Sequence, residues 1–275
     1  MKILILGANS YVGARIYIEL AKKYSVVGTY FSKKISDKFL YLDITQEAET
    51  REFILNQKPD TIIHVANNPY SAWCEENKEA AILLNQTSTS WIVDAANGLG
   101  AKLIYISSIA VLDGDVYGNT KLESEKIVKK TKNGYLIFRL GLVLGMSPNT
   151  GNDRTFNTLI KNLENNTKAA YNDSKKHIIT YLGQLCEVTE YCLQKNIWNE
   201  TVLIASEEAR TRCEIAKDLL TPFGIEVEAD RNGAKIPPRA GDFSRLKELS
   251  LPFYTYDQAA VKIIEEIKNK EQYRI

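Results

Sequence analysis

The sequence predicts a doubly wound α/β fold: a parallel sheet covered by helices on both faces, with a smaller C-terminal α/β lobe. Three observations predict it. Short apolar runs alternate with helical patterns through the first half of the 275-residue chain. Those runs are apolar throughout, as strands buried on both faces of a parallel sheet are. The first of them breaks at once into Gly7-Ala-Asn-Ser-Tyr-Val-Gly13 and a helical pattern, the strand-turn-helix unit with which such folds begin.

Strands are expected at Lys2–Leu6, Ser25–Tyr30, Phe39–Leu42, Thr61–Val65, Lys102–Ser107 and Tyr135–Leu140, all rich in Ile, Val, Leu and Tyr. Helices are expected between them at Tyr11–Lys23, Gln46–Asn56, Glu75–Asn97 and Tyr117–Lys132. In the first, Val12, Ile16 and Leu20 recur at i, i+4 and i+8, the stripe that packs on the sheet. After about residue 145 the alternation loosens: Met146–Asp153 is rich in Ser, Pro, Asn and Gly, and Asn162–Lys176 is polar. Helices follow at Leu182–Gln194, at Arg212–Leu220 behind the capping-box pattern Thr211-Arg-Cys-Glu214, and at Tyr256–Lys268. Residues 1–145 are therefore expected to form one unit, and residues 146–275 a second lobe packed on it.

Composition narrows the partners. With 35 basic and 34 acidic side chains, no bulk field points to nucleic acid or to an anionic membrane surface. Cys74, Cys186, Cys192 and Cys213 lack metal-ligand spacing and lie far from His64 and His177, so no metal is expected and the thiols read as reduced. His64, within an apolar strand, reads as a core histidine rather than a base. The N-terminal Met-Lys-Ile-Leu-Ile-Leu is too short for a signal segment, and no run approaches the roughly 20 apolar residues of a membrane span, so a cytoplasmic location is expected.

A helix N-terminus directly after a strand presents free N–H groups and partial positive charge, which suit a pyrophosphate. Gly7 permits the sharp turn and Gly13 a close helix–strand approach, while Asn9, Ser10, Tyr11 and Val12 complete the loop. Ser10 stands where a third glycine usually lies; its Cβ crowds the phosphate and its hydroxyl can donate to it. A dinucleotide is the expected ligand, in the manner of a Rossmann domain, against a plain structural turn. At the end of the second strand, Tyr30, Ser32, Lys33 and Lys34 bring no carboxylate for a ribose 2′-hydroxyl, so NADPH is favoured and NADH remains possible; the alternative is a solvated basic turn. Other cofactor candidates fall at carboxyl ends of strands: Asp43 and Ile44, Ala66 and Asn67, and Leu140. Asp43 could take an adenine amino group or cap the next helix.

Four of the fifteen tyrosines have a lysine four residues on, so Tyr117-Gly-Asn-Thr-Lys121 is not informative by spacing alone. Its context is. Ser108 lies just past a buried strand, Tyr117 opens the next helix, and Lys121 is one turn along the same face. A phenol near pKa 10 holds its proton too tightly for ready exchange at neutrality, and lowering it three units needs about 4 kcal/mol. An ammonium about 4 Å away at an effective dielectric of 20 supplies roughly that. Asn68, Tyr70 and Trp73 after the fourth strand, and Arg154 beyond the polar linker, could line a substrate pocket or simply pack at the surface. Arg239 and Arg245 could serve a diphosphate or a surface ion pair.

The chain resembles the extended short-chain dehydrogenase/reductases, and more narrowly the dTDP-4-dehydrorhamnose reductases and related nucleotide-sugar reductases. The resemblance is carried by Gly7-Ala-Asn-Ser-Tyr-Val-Gly13, Leu42-Asp-Ile-Thr45, Ser107-Ser-Ile-Ala-Val-Leu-Asp-Gly114, Tyr117-Gly-Asn-Thr-Lys-Leu-Glu-Ser-Glu-Lys126 and Arg139-Leu-Gly-Leu-Val-Leu-Gly145. It implies Ser108, Tyr117 and Lys121 as the catalytic set of an NAD(P)H-dependent reductase acting on a nucleotide-linked 4-keto-6-deoxy sugar, with a homodimer possible. Two alternatives share the fold: an epimerase with tightly bound NAD, and a non-catalytic dinucleotide-binding regulatory protein. The sequence departs from the family pattern at Ser10 and in a link between Ser108 and Tyr117 that is roughly fifteen residues shorter than usual.

Overall fold

The computed structural model describes residues 1–275. Strands β1 (Lys2–Leu6), β2 (Ser25–Tyr30), β3 (Phe39–Tyr41), β4 (Thr61–His64), β5 (Lys102–Ser108) and β6 (Tyr135–Leu140) fall on the six expected runs, ends differing by a residue or so. Helices α1 (Tyr11–Leu20) and α2 (Glu47–Gln57) link the first four of them. In side-by-side order the main sheet runs β10-β6-β5-β4-β1-β2-β3, where β10 is Glu200–Ile204, and every pairing in it is parallel. The chain winds outward from β1 through β2 to β3, then restarts at β4 on the other side. The crevice where ligands bind in such sheets therefore opens between β1 and β4. Alternate residues of each strand feed the two faces. Ile3 and Ile5 join a buried cluster of 43 residues on one side, and Leu4 and Leu6 a cluster of 15 on the other.

The stretch expected as one helix over Glu75–Asn97 is broken. It comprises α3 (Ser71–Glu76), α4 (Lys78–Ile82), a π turn at Leu83–Thr87 and α5 (Ser88–Leu99). Asn77 interrupts the helix with φ −128° and ψ 54°. The π turn has a tertiary cause: Asn85 points inward, 1% exposed, and grips the loop after β4 by accepting from the Asn68 N–H at 2.8 Å and donating to the Asn68 carbonyl at 3.0 Å. The extra residue in the turn turns that side chain toward its partner. Helix α6 (Val116–Val128) follows β5 as expected, ending short of Lys132.

The second half is more ordered than its polar stretches suggest. It contains β7 (Leu142–Leu144), α7 (Thr155–Glu164), β8 (Ala169–Asn172), β9 (Lys176–Tyr181), α8 (Leu182–Lys195), then β10, β11 (Ala209–Thr211), α9 (Arg212–Leu220), β12 (Val227–Asp230), α10 (Ser244–Glu248) and α11 (Tyr256–Lys268). Two small sheets, β11-β9-β7 and β12-β8, build the lobe. Strand β10 instead pairs with β6 and completes the main sheet, so the units expected at 1–145 and 146–275 share one strand. The Thr211 box forms in full: the hydroxyl accepts from the Glu214 N–H at 3.1 Å and the Glu214 carboxylate accepts from the Thr211 N–H at 2.7 Å. No helix is long and apolar enough to cross a membrane.

Candidate functional site

The phosphate loop is a close-packed turn. Gly7 has φ +85°, and a Cβ there would stand 2.8 Å from Ala66 backbone atoms. A Cβ on Gly13 would fall 2.2 Å from the Gly7 carbonyl oxygen. Ser10 is the N-cap of α1, its Oγ accepting from the Gly13 N–H at 3.0 Å. The residue in place of the usual glycine thus holds the turn. The first-turn N–H groups of Tyr11 and Val12 lack intrahelical acceptors, as at any helix start, and both residues line a cavity in the crevice. Asn9 ties the loop to the turn after β2, donating to the Lys33 carbonyl at 2.6 Å and accepting from the Ile35 N–H at 2.9 Å. That places Ser32 and Lys33 at the exposed rim beside the loop. Lys34 pairs with Asp37 at 3.1 Å and lies over the Tyr30 ring, so the Tyr30/Lys34 pair belongs to this turn. Asp43 accepts from the Thr45 N–H at 2.9 Å, and the N-cap of α2 is Gln46, so Asp43 shapes the turn without capping the helix. Ile44 is buried.

The cavity, of about 420 Å³, brings together Ser10, Tyr11 and Val12 of the loop, Asn67 after β4, Ser108 at the end of β5, Tyr117 on α6, Leu140 of β6, and Tyr70 and Arg154. The short link from Ser108 to Tyr117 is one 3-10 turn, Ile109–Leu112, followed by Asp113, Gly114 and Asp115, and the Ser108 Oγ accepts from the Ala110 N–H at 3.1 Å. Asp115 then caps α6 by accepting from the Gly118 N–H at 2.6 Å. The link closes because residue 118 is glycine: a Cβ there would be 2.1 Å from the Ala110 carbonyl oxygen. Directly after Tyr117, Gly118 carries no mark in the sequence of this close approach, which depends on Ala110 eight residues earlier.

The electrostatics differ from the expected pattern. Burial pushes the Tyr117 phenol up to about 12, while Arg154 and the Ser108 hydroxyl pull it down. The expected lowering by Lys121 is absent for a geometric reason. The Lys121 Nζ, on a residue 1% exposed, donates to the Ile106 carbonyl at 2.7 Å and lies 4.1 Å from the Tyr105 ring centroid, beneath the cavity wall. Burial lowers its ammonium to about 7, with the Glu125 carboxylate opposing. Glu125 is itself buried, accepting from the Ser107 hydroxyl at 2.6 Å and from Arg139 at 2.9 and 2.6 Å.

The depressed lysine has a stability signature. Between about 7 and the ordinary 10.5 the unfolded chain holds a proton at this position that the folded chain does not, so this contribution to stability rises with pH through that window. Lys121→Met is therefore expected to melt higher relative to the parent near pH 6 than near pH 10. An offset in melting temperature equal at both values would contradict the buried ammonium.

His64 is a core residue, as expected, with Nε2 3.1 Å from the Thr89 hydroxyl and burial holding its imidazolium form down to about 3. It is only half satisfied: its Nδ1 and the Tyr105 hydroxyl are buried without a protein partner.

Among the substrate candidates, Tyr70 and Arg154 reach the cavity, with the guanidinium 5.3 Å from the ring centroid and the Tyr70 hydroxyl bonded to Asp153. Asn68 is held by Asn85, and Trp73 packs behind Tyr117 with Cys74, Ala81 and Ala110; neither lines the cavity. Arg212, the first residue of α9, does line it. The capping box placed that helix in the sequence, but nothing local indicated where its first side chain points. Arg239 and Arg245 form ion pairs, with Asp113 and with Glu200 and Glu248 respectively.

Residues 1–240 match the family model described as the RmlD substrate binding domain. The chain belongs to this family. The β subunit of methionine adenosyltransferase 2 from Xenopus tropicalis is 32% identical over 157 residues, 52% of this chain and 47% of the relative. The dTDP-4-dehydrorhamnose reductase of Salmonella typhimurium is 30% identical over 158 residues, 52% of each chain. The chain thus spans about half the length of the curated relatives it matches. The family fold extends further: the Bacillus anthracis dTDP-4-dehydrorhamnose reductase in complex with NADP superposes with a TM-score of 0.81 at 21% identity, over 96% of this chain and 99% of that one. Bordetella bronchiseptica WbmG in complex with NAD gives 0.80 at 15% identity, over 100% and 96%. At these identities the likeness is one of fold.

Proposed function

We propose that the chain is an NAD(P)H-dependent reductase of a nucleotide-linked 4-keto-6-deoxy sugar, with Tyr117 as the proton donor. One observation carries the reading: Ser108 and Tyr117 open on the same cavity as the helix start at Tyr11 and Val12. The residues fit a dinucleotide, because the glycines at 7 and 13 leave no room for a Cβ and the first residues of α1, Tyr11 and Val12, line the cavity. A bound nicotinamide supplies the hydride. The Ser108 hydroxyl holds the carbonyl oxygen and stabilises charge developing on it. Tyr117 gives its phenolic proton to that oxygen, and Lys121 anchors helix α6 beneath it through the Ile106 carbonyl. Arg154 and Arg212 supply the positive charge in the wall that an anionic nucleotide tail requires. Ser32 and Lys33 at the rim favour NADPH. The relatives named as dTDP-4-dehydrorhamnose reductases support the substrate class.

A second reading, a dinucleotide-binding regulatory subunit without turnover, is favoured by two observations. The phenol is pushed up to about 12, and the relatives named as methionine adenosyltransferase 2 subunit beta match to a similar extent. Following NADPH and NADH oxidation against dTDP-, UDP-, GDP- and CDP-linked 4-keto sugars, together with dinucleotide titration, separates the two. Selective turnover is expected. Binding without turnover on any sugar would favour the regulatory reading, and no dinucleotide binding would reject both.

A further inference from the structure

The C-terminal helix carries an acid that takes no part in lining the cavity yet is connected by hydrogen bonds to the loop in front of it. Glu266 on α11 is 4% exposed, and so is Arg15 on α1. They pair at 2.7 Å, across nearly the whole length of the sequence. Between them they hold the backbone of one residue, Met146, at both its N–H and its carbonyl. Glu266 Oε2 accepts from the Met146 N–H at 2.7 Å, and Arg15 donates to the Met146 carbonyl at 2.7 Å. Glu266 Oε1 also accepts from the Tyr181 hydroxyl at 2.8 Å.

The segment gripped in this way is the one on which the phosphate loop rests. The Gly145 carbonyl accepts from the Tyr11 hydroxyl. The Ser147 hydroxyl donates to the Tyr11 carbonyl at 2.6 Å, and the Asn149 amide donates to the Asn9 carbonyl at 2.6 Å. Gly145 adopts φ +129°, and a Cβ on it would come within 3.2 Å of the Glu266 carboxylate, so the acid sits directly on the segment. Asn9 in turn holds the turn after β2. A continuous set of bonds therefore runs from α11 through residues 145–149 to Asn9 and Tyr11.

We infer that Glu266 is a positioning residue for the dinucleotide loop, acting through the Gly145–Asn149 segment that it and Arg15 hold between them. The inference rests on the dinucleotide reading above only for its ligand. A buried ion pair of this kind contributes little to stability by itself, because desolvation offsets the attraction. A pair whose two members bond the N–H and the carbonyl of a distant residue instead contributes geometric definition.

The test compares Glu266→Gln, which keeps the side-chain volume, with Ile263→Ala, a truncation of a fully buried residue on the same helix. Glu266→Gln is expected to weaken NADPH binding about tenfold in a fluorescence titration and to speed amide hydrogen exchange at residues 9–13 of the ligand-free chain. Ile263→Ala is expected to lower the melting temperature while leaving both readouts at parental values. Tyr11→Phe should also weaken binding, and combining it with Glu266→Gln should add no further loss, because the two substitutions break the same connection. Should Glu266→Gln fail to fold, Arg15→Lys keeps the charge but releases part of the grip on Met146, and the same exchange change is expected. Exchange at residues 9–13 that is no faster in these variants than in Ile263→Ala overturns the inference. If the parent binds neither NADPH nor NADH, the functional reading falls, and the exchange comparison still decides the coupling.

Discussion

Tyr117→Phe is expected to lower turnover by about 10²–10⁴-fold, the usual contribution of a positioned acid, with dinucleotide affinity unchanged. The ring is buried beside Cys74, Ala81 and Ala110, so phenylalanine fills the same space and α6 keeps its packing. What disappears is the hydroxyl that carries the proton, with its bond to Ser108. Because burial pushes the phenol up to about 12, the donor stays protonated throughout the neutral range, and the rate should not fall through its ionisation between about pH 6 and 9. Steady-state NADPH oxidation and fluorescence titration on the same preparation check both halves of the expectation. Full turnover in the variant would remove Tyr117 from the chemistry; unchanged turnover together with a lost affinity would place it among the cofactor contacts instead.

Gly13→Ala should have the largest effect on binding. Its Cβ would lie 2.2 Å from the Gly7 carbonyl and 2.9 Å from the Ser10 hydroxyl, and the nearer of these is backbone that cannot swing away. Helix α1 would have to move off β1 and lose both the Ser10 cap and the fit of the loop. Overpacking of this kind costs about 1–3 kcal/mol, a fall in melting temperature of roughly 3–10 °C for a chain of this size. Dinucleotide affinity should drop by about a hundredfold or more. Gly98→Ala makes a clean control: nothing stands within 4 Å of its added Cβ within α5, and alanine favours the helix, so it should be neutral or slightly stabilising. Parental affinity in Gly13→Ala would show that the loop does not hold the cofactor.

The N-terminal half was legible because its signals are local. Continuous apolar runs locate β1 to β6, a helix that follows a strand without a gap locates the loop, and Ser108 and Tyr117 flank a strand end and a helix start. What the sequence hid depends on partners distant along the chain. The π turn exists because Asn85 bonds the backbone of Asn68. In sequence, Asn85 is one more polar residue in a helical stretch. Glu266 follows Glu265 on an amphipathic helix and reads as part of a solvated face, yet only one of the two is buried. Lys121 stands at the right spacing from Tyr117, but spacing on a helix does not say whether an ammonium reaches the phenol or a carbonyl below it. In this fold it reaches Ile106. The short β10 has too little periodicity to be separated from the helices around it.

That last strand also sets an order of events during synthesis. Strand β6 ends at Leu140, but the neighbour that covers its outer edge begins at Glu200. As the protein leaves the ribosome, an apolar strand with unpaired amides and carbonyls must wait for about sixty more residues, several seconds at ordinary rates of translation. Open edges of that kind recruit other strands. Aggregation during expression should therefore be most acute in chains that stop between β6 and β10, and a nascent-chain chaperone should bind there longest.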